Sequence, residues 1–186
     1  MTKDTSRLTV ESWIQAGFRA LTDAGPTALK AEPLARALGT TKGSFYWHFK
    51  DVSDFKKQMI AHWQAHAFEA VTAAVDDLGP PTARLYKLGE LATDSPEAYG
   101  GAAAEPAIRA WAQSDHTVAQ SVRLIDEKRL EYLSGLLREL DLTNPDFARI
   151  IYGAYIGMGT LSAADDADNA DAMSTLMAAI LALRDA

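Results

Sequence analysis

Apolar positions recur every three or four residues along nearly the whole chain, and nowhere do they alternate with the two-residue period of a strand. The pattern predicts an all-α protein. Val10, Ile14, Gly17, Phe18, Leu21 and Ala24 share one stripe of a first helix that Thr9 can cap and Gly25-Pro26 stops. A short second helix is expected over about 31–38. Pro33 is tolerated there because first-turn N–H groups lack helical partners, and Gly39 ends the helix. Thr40 or Thr41 can cap a third helix over 42–49, and a longer fourth over 53–78 ends at Gly79-Pro80-Pro81. Further helices are expected over about 82–94, 103–113, 116–140, 145–164 and 170–184. Asn144-Pro145-Asp146 combines a capping side chain, a first-turn proline and an acid at the positive end of the dipole. Asp94 to Ala104, with Pro96, Gly100 and Gly101, is expected to be the mobile connection.

Composition narrows the class only modestly. A chain of 186 residues with 48% hydrophobic and 23% charged residues can bury its own core. Without cysteine it has no disulfides or thiolate metal sites, which suits a reducing cytoplasm. Met1 to Val10 is polar and reads as no signal peptide. The most apolar run, Ile150 to Ala164, is shorter than the ~20 residues of a membrane span, so a membrane is not expected as a partner.

Charge changes the picture more. The net charge of −7 argues against nucleic acid until its distribution is read. Residues 1–60 hold nine Lys/Arg against six Asp/Glu, whereas residues 61–186 hold nine against nineteen. A mildly basic head on an acidic body suggests two tasks.

The basic head also holds the densest chemistry. Phe45, Tyr46, Trp47, His48 and Phe49 lie between Lys42 and Lys50. On a helix, Phe45 and Phe49 fall on one side, where Leu34, Leu38 and the first helix can receive them. Gly43, Trp47 and Lys50, flanked by Ser44 and Tyr46, turn the other way. Two short helices joined by a glycine-containing turn form a helix-turn-helix, whose second helix fits the major groove. Gly43 permits close backbone approach, Tyr46 can meet a thymine methyl or a phosphate, and Ser44, His48 and Lys50 can donate to phosphates. An aromatic-rich helix that is purely core is the plainer alternative.

The run from Leu34 to Phe49, with Phe45-Tyr46-Trp47-His48-Phe49 at its centre, resembles the signature of TetR-family transcriptional regulators, and the likeness covers about residues 8–60. Ala107-Ile108-Arg109-Ala110-Trp111-Ala112 is similar to a segment in one branch of such regulators. The resemblance implies a three-helix DNA-binding domain over 1–55, with its motif at about 31–50, and a larger helical effector-binding and dimerisation domain over 56–186. It implies a homodimer paired through the last two helices, binding double-stranded palindromic operator DNA and released by a small-molecule effector of unknown identity. Carried over by position, Lys42, Gly43 and Tyr46 face bases, while Ser44, Trp47 and His48 lie nearer the backbone. Lys30, Ala31 and Glu32 at the second helix start, and Val52 at the fourth, depart from the usual phosphate-contacting residues.

Other constellations are weaker. His62, His66 and Glu69 share a helix face at a spacing that can hold a divalent metal, yet such pairs are more often packing or surface. No metal site and no cofactor is expected. Gly153, Gly157 and Gly159 each cost about 1 kcal/mol within a helix, which close approach at a subunit interface would offset, with tight intrachain packing or ligand space as alternatives. Trp63, Phe68, Tyr86, Trp111, Tyr132, Tyr152, Tyr155 and Met158 are candidates to line an effector cavity, although any one is more often core. No nucleophile–base pattern or phosphate loop is present, and the acids read as scattered solvent-facing residues, so no catalytic residue is expected and the chain is read as a non-enzyme. An all-helical protein-interaction or small-molecule-binding module without DNA binding is the competing class.

Overall fold

Thr9 does start the first helix, and it does so reciprocally. Its hydroxyl accepts from the Ser12 backbone N–H while the Thr9 N–H donates to the Ser12 hydroxyl, closing a capping box on α1 (Val10–Ala24). The computed structural model describes residues 8–93, 97–165 and 167–184. Gly25, at φ 73°, ends α1, and a 3-10 turn over Pro26–Ala28 leads to α2 (Ala31–Ala37). Gly39, at φ 64°, makes the turn into α3 (Lys42–His48), where Thr41 is the capping residue. Asp51 caps α4 (Val52–Gln64) through the Asp54 N–H at 2.8 Å.

The single helix expected over 53–78 has a defect. Between α4 and α5 (Ala70–Asp76), residues Ala65–Glu69 form a π-helical turn, with right-handed helical dihedrals at both junctions. The rod is continuous but locally widened, and the Ala67 carbonyl accepts from Arg129 Nε at 3.1 Å. Periodicity reads such a stretch as plain helix because the two segments share one direction. The chain continues through α6 (Pro81–Thr93), α7 (Ala104–Ala112), α8 (His116–Glu139), α9 (Asp146–Asp165) and α10 (Ala170–Ala182).

The expected mobile connection is only partly described, since 94–96 lie outside the described residues. The remainder is anchored. Glu97–Tyr99 and Gly101–Ala103 form 3-10 turns, Tyr99 meets Phe18 edge-on at 5.9 Å, and Arg19 donates to the Ala98 carbonyl at 3.4 Å. Gly100 and Gly101 adopt positive φ, and a Cβ at Gly100 would lie 2.8 Å from Thr22 Cγ2. Gly100 therefore permits a close approach to α1 that a side chain there would block.

Two apolar clusters result. The first joins α1–α4 to Ile108 and Trp111 of α7 and to Val118, Val122 and Ile125 of α8. The second packs Leu85, Leu133, Leu136, Ile151, Met173 and Met177 among α6, α8, α9 and α10. The expected division near residue 55 falls inside α4, and the first cluster continues across it. No helix among the described residues is long and apolar enough to cross a membrane.

Candidate functional site

Helix α3 divides its aromatics between two jobs. Phe45 and Phe49 are buried, in contact with each other at 5.0 Å and with the Phe55 ring of α4 at 5.5 and 5.0 Å. Trp13 of α1 closes the same cluster edge-on to Phe45 at 5.4 Å. The opposite face is bare, with Tyr46 48% and Trp47 89% exposed. Leaving a tryptophan in water forfeits the burial of a large apolar ring, and such exposure marks a contact surface. Lys42, Gly43 and Lys50 are exposed with them, while Ser44 and His48 are half-buried. All seven expected contact residues thus lie on or beside one face of α3.

The local geometry says which of these residues the fold itself needs. A Cβ at Gly43 would lie 3.6 Å from Thr41 Oγ1, an ordinary contact, so the fold does not require glycine there. The Lys50 N–H donates to Asp54 Oδ2 at 2.9 Å, which fixes the chain leaving α3 and leaves the ammonium exposed. That N–H and Gln58 hold the Asp54 carboxyl below its ordinary value. At the start of α2, Lys30 occupies the cap position without any side-chain cap bond, Ala31 is buried, and Glu32 pairs with Arg36 at 3.4 Å on the surface.

A cavity of about 190 Å³ lies behind this head. Phe18 of α1 and His62 and Trp63 of α4 form its near wall; Phe68, Tyr132, Tyr152 and Tyr155 continue it. Of the other cavity candidates, Trp111 is buried in the first cluster and Tyr86 is 40% exposed, while Met158 lines a neighbouring cavity of about 250 Å³. His62 and His66 stack face to face at 4.0 Å, and Tyr99 covers His62 at 4.6 Å. His66 Nδ1 is spent on the His62 carbonyl at 2.9 Å, so the pair behaves as a packed aromatic stack. Among the described residues no group of three or more His, Cys, Asp or Glu could hold a metal ion.

The acids are not all solvent-facing, contrary to their reading in sequence. Glu105 of α7 accepts from Arg109 Nη2 at 2.7 Å and from Arg129 Nη1 at 2.8 Å. Asp126 of α8 accepts from Arg109 Nη2 and from the Tyr152 hydroxyl, each at 2.7 Å. Burial alone would push the Glu105 carboxyl up, but the two guanidiniums outweigh it and hold it below the ordinary value. Burial pushes Tyr155 up to about 12 and Tyr152 higher still. This cluster was missed because each charge was judged by type. Its signal was positional: Arg109 follows core Ile108, Asp126 follows core Ile125, and Glu105 lies one turn before Arg109.

Residues 13–53 match the model of the bacterial regulatory proteins of the tetR family. No curated protein matches the chain in sequence. Solved structures match over nearly its full length. The fatty acid degradation regulator FadR from Bacillus halodurans has a TM-score of 0.71 at 15% identity, covering 93% of this chain and 98% of that one. A transcriptional regulator from Saccharomonospora viridis, in complex with choline, gives 0.75 at 13% identity, with 92% and 94% covered. A TetR-family regulator from Streptomyces coelicolor gives 0.73 at 16% identity, with 93% and 89% covered. The matched segment contains the whole α2–α3 motif with its bare aromatic face, so over residues 13–53 the chain is similar to the bacterial regulatory proteins of the tetR family.

Proposed function

We propose that the chain acts in the cytoplasm as a homodimeric repressor that binds a palindromic operator and is released by a small molecule. The observation that carries the reading is the divided face of α3. Phe45 and Phe49 anchor the helix while Tyr46 and Trp47 stand in solvent beside Lys42 and Lys50. In this reading Lys42, Gly43 and Tyr46 meet base edges in the major groove, and Ser44, Trp47, His48 and Lys50 hold the backbone. Nothing in it calls for a catalytic step.

Dimerisation is assigned to α9 and α10. Gly153 and Gly157 face open space, and Ile150 and Leu161 on the same face of α9 are 49% and 63% exposed. Leu183, just after α10, is 52% exposed. The helix-propensity cost of the two glycines is offset if a partner helix approaches that face closely. Gly159 differs, since its nearest neighbour is Pro106 of the same chain at 4.0 Å.

Release follows from the shared wall. Phe18, His62 and Trp63 belong to the helices that carry the reading head, and all three line the cavity. A ligand filling that space shifts α4 against α8, and with it the separation of two heads that must sit about 34–36 Å apart, or a multiple, to engage together. The Saccharomonospora viridis structure, of similar fold, holds choline, which supports a small-molecule effector.

The test is binding to duplex DNA from upstream of the protein's own gene across a salt series. The affinity should fall by about 10³-fold or more between 50 and 200 mM salt if the dimer neutralises six or more phosphates. Folded protein that shows no DNA binding, or binding indifferent to salt, would refute the reading.

A further inference from the structure

The cavity has aromatic and aliphatic walls, and among the described residues its charged lining side chains, Glu105 and Arg129, belong to a cluster that is already balanced. Glu105 and Asp126 supply two negative charges, and Arg109 and Arg129 two positive ones. Every nitrogen of the Arg129 guanidinium is engaged, Nε by the Ala67 carbonyl and both Nη atoms by Glu105. Arg109 likewise spends all three nitrogens on Glu105, Asp126 and Tyr152. No lining charge is left seeking a counter-ion.

We propose that Glu105 is the specificity-determining residue of this cavity. Its carboxylate occupies the place in which an acidic ligand would pair with Arg129, and so reserves the space for uncharged, largely aromatic molecules. The proposal rests on the effector reading of the cavity given above. An anionic ligand would have to displace Glu105 from two arginines, and the displaced carboxylate would be left buried and unpaired. A cation fares no better. Both acids are committed to arginines and the Tyr155 face already carries the Arg129 guanidinium at 5.4 Å, so a cation would shed its hydration with only the remaining ring faces, such as Trp63 and Tyr99, to offset the loss. An uncharged flat molecule disturbs none of these pairs and can lie against Trp63, Phe68, Tyr99 and Leu133. The space is sufficient for it, since a volume of about 190 Å³ has room for on the order of a dozen waters. Glu105 also lines the neighbouring cavity, so it stands on the wall between the two.

Three probes of one shape test the assignment: 2-acetylnaphthalene, 2-naphthoate and a naphthyl trimethylammonium salt, titrated calorimetrically into the full chain. The uncharged ketone should bind at least about tenfold more tightly than either ion. In Glu105→Gln, Arg109 and Arg129 keep one uncompensated positive charge, so naphthoate should gain about tenfold or more while the ketone changes little. The wild-type comparison stands even if the variant fails to fold, which circular dichroism would report. Naphthoate or the ammonium salt binding wild type as well as the ketone does would overturn the proposal. So would the absence of binding by all three, or a folded Glu105→Gln that gains nothing for naphthoate. DNA release is scored separately. Selective ketone binding without release defeats the effector reading and leaves the specificity assignment standing, and release by naphthoate does the reverse.

Discussion

Gly17→Ala asks whether the reading head is built around one close helix approach. A Cβ at position 17 would lie 2.6 Å from Phe55 Cζ and 3.0 Å from Met59 Sδ. Phe55 is fully buried, and its ring is held by Phe45 at 5.5 Å and by Phe49 at 5.0 Å, so it cannot swing aside without moving α3. Overpacking of this kind costs about 1–3 kcal/mol, and the better helix propensity of alanine returns at most about 1 kcal/mol. The net expectation is a loss of up to about 2 kcal/mol, or a Tm lower by up to roughly 8 °C for a chain of this length. Gly135→Ala in α8 is the control, because a Cβ there meets nothing within 4 Å and should raise Tm by a few degrees, up to ~4 °C. Thermal unfolding followed by circular dichroism at fixed protomer concentration reads both. A Gly17→Ala protein as stable as the Gly135→Ala control would refute the close packing of α1 on Phe55.

Three further outcomes are expected. Gly43→Ala should leave the melting curve unchanged or raise it, by at most about 1 kcal/mol, while weakening DNA binding about tenfold or more, because its new methyl makes only an ordinary contact with Thr41 and otherwise projects toward the groove; anisotropy titration checks it, and unchanged affinity would show that the helix does not approach DNA there. If the chain pairs through α9 as proposed, Gly157→Glu should sediment as a monomer with helicity retained where wild type sediments as a dimer; a persistent dimer would remove the α9 face from the interface. Burial, then repulsion from His66, holds the His62 imidazole below its ordinary 6.5, against an opposing pull from Glu11. The unfolded chain therefore takes up that proton first, so the contribution of His62 to stability is constant above about pH 6.5 and declines as pH falls below it. His62→Gln should flatten Tm between pH 7 and 5. The lowered Glu105 carboxyl acts in a separate window, below about pH 4.5.

Sequence periodicity located the described helices to within a residue or two wherever a cap or a glycine punctuated them. Thr9, Gly25, Gly39 and Thr41 mark such ends through local chemistry that needs no tertiary context. The same holds for α3, whose inner and outer faces follow from the four-residue spacing of Phe45 and Phe49. What stayed hidden depends on partners distant in the chain. The π-turn at Ala65–Glu69 shifts the phase of the helix without ending it and is buttressed by Arg129, 62 residues beyond Ala67. The 97–103 segment looked mobile because glycines were read as freedom, whereas Gly100 is there to let the chain touch Thr22. Glu105 reads as one of the scattered solvent-facing acids because its position alone does not reveal that Arg129, 24 residues on, will neutralise it.

The most direct test of the central claim compares wild type with Tyr46→Ala on upstream DNA at one salt concentration, by anisotropy, with unfolding and sedimentation run in parallel. Tyr46 is 48% exposed and supports no other element beyond its edge contact with Phe45, so the variant should keep its Tm within about 1 kcal/mol of stability and keep its oligomeric state. Its DNA affinity should fall by about tenfold or more, with discrimination between specific and random duplex lost first. Unchanged affinity and selectivity in a folded Tyr46→Ala protein would contradict the assignment of α3 as the helix that reads DNA.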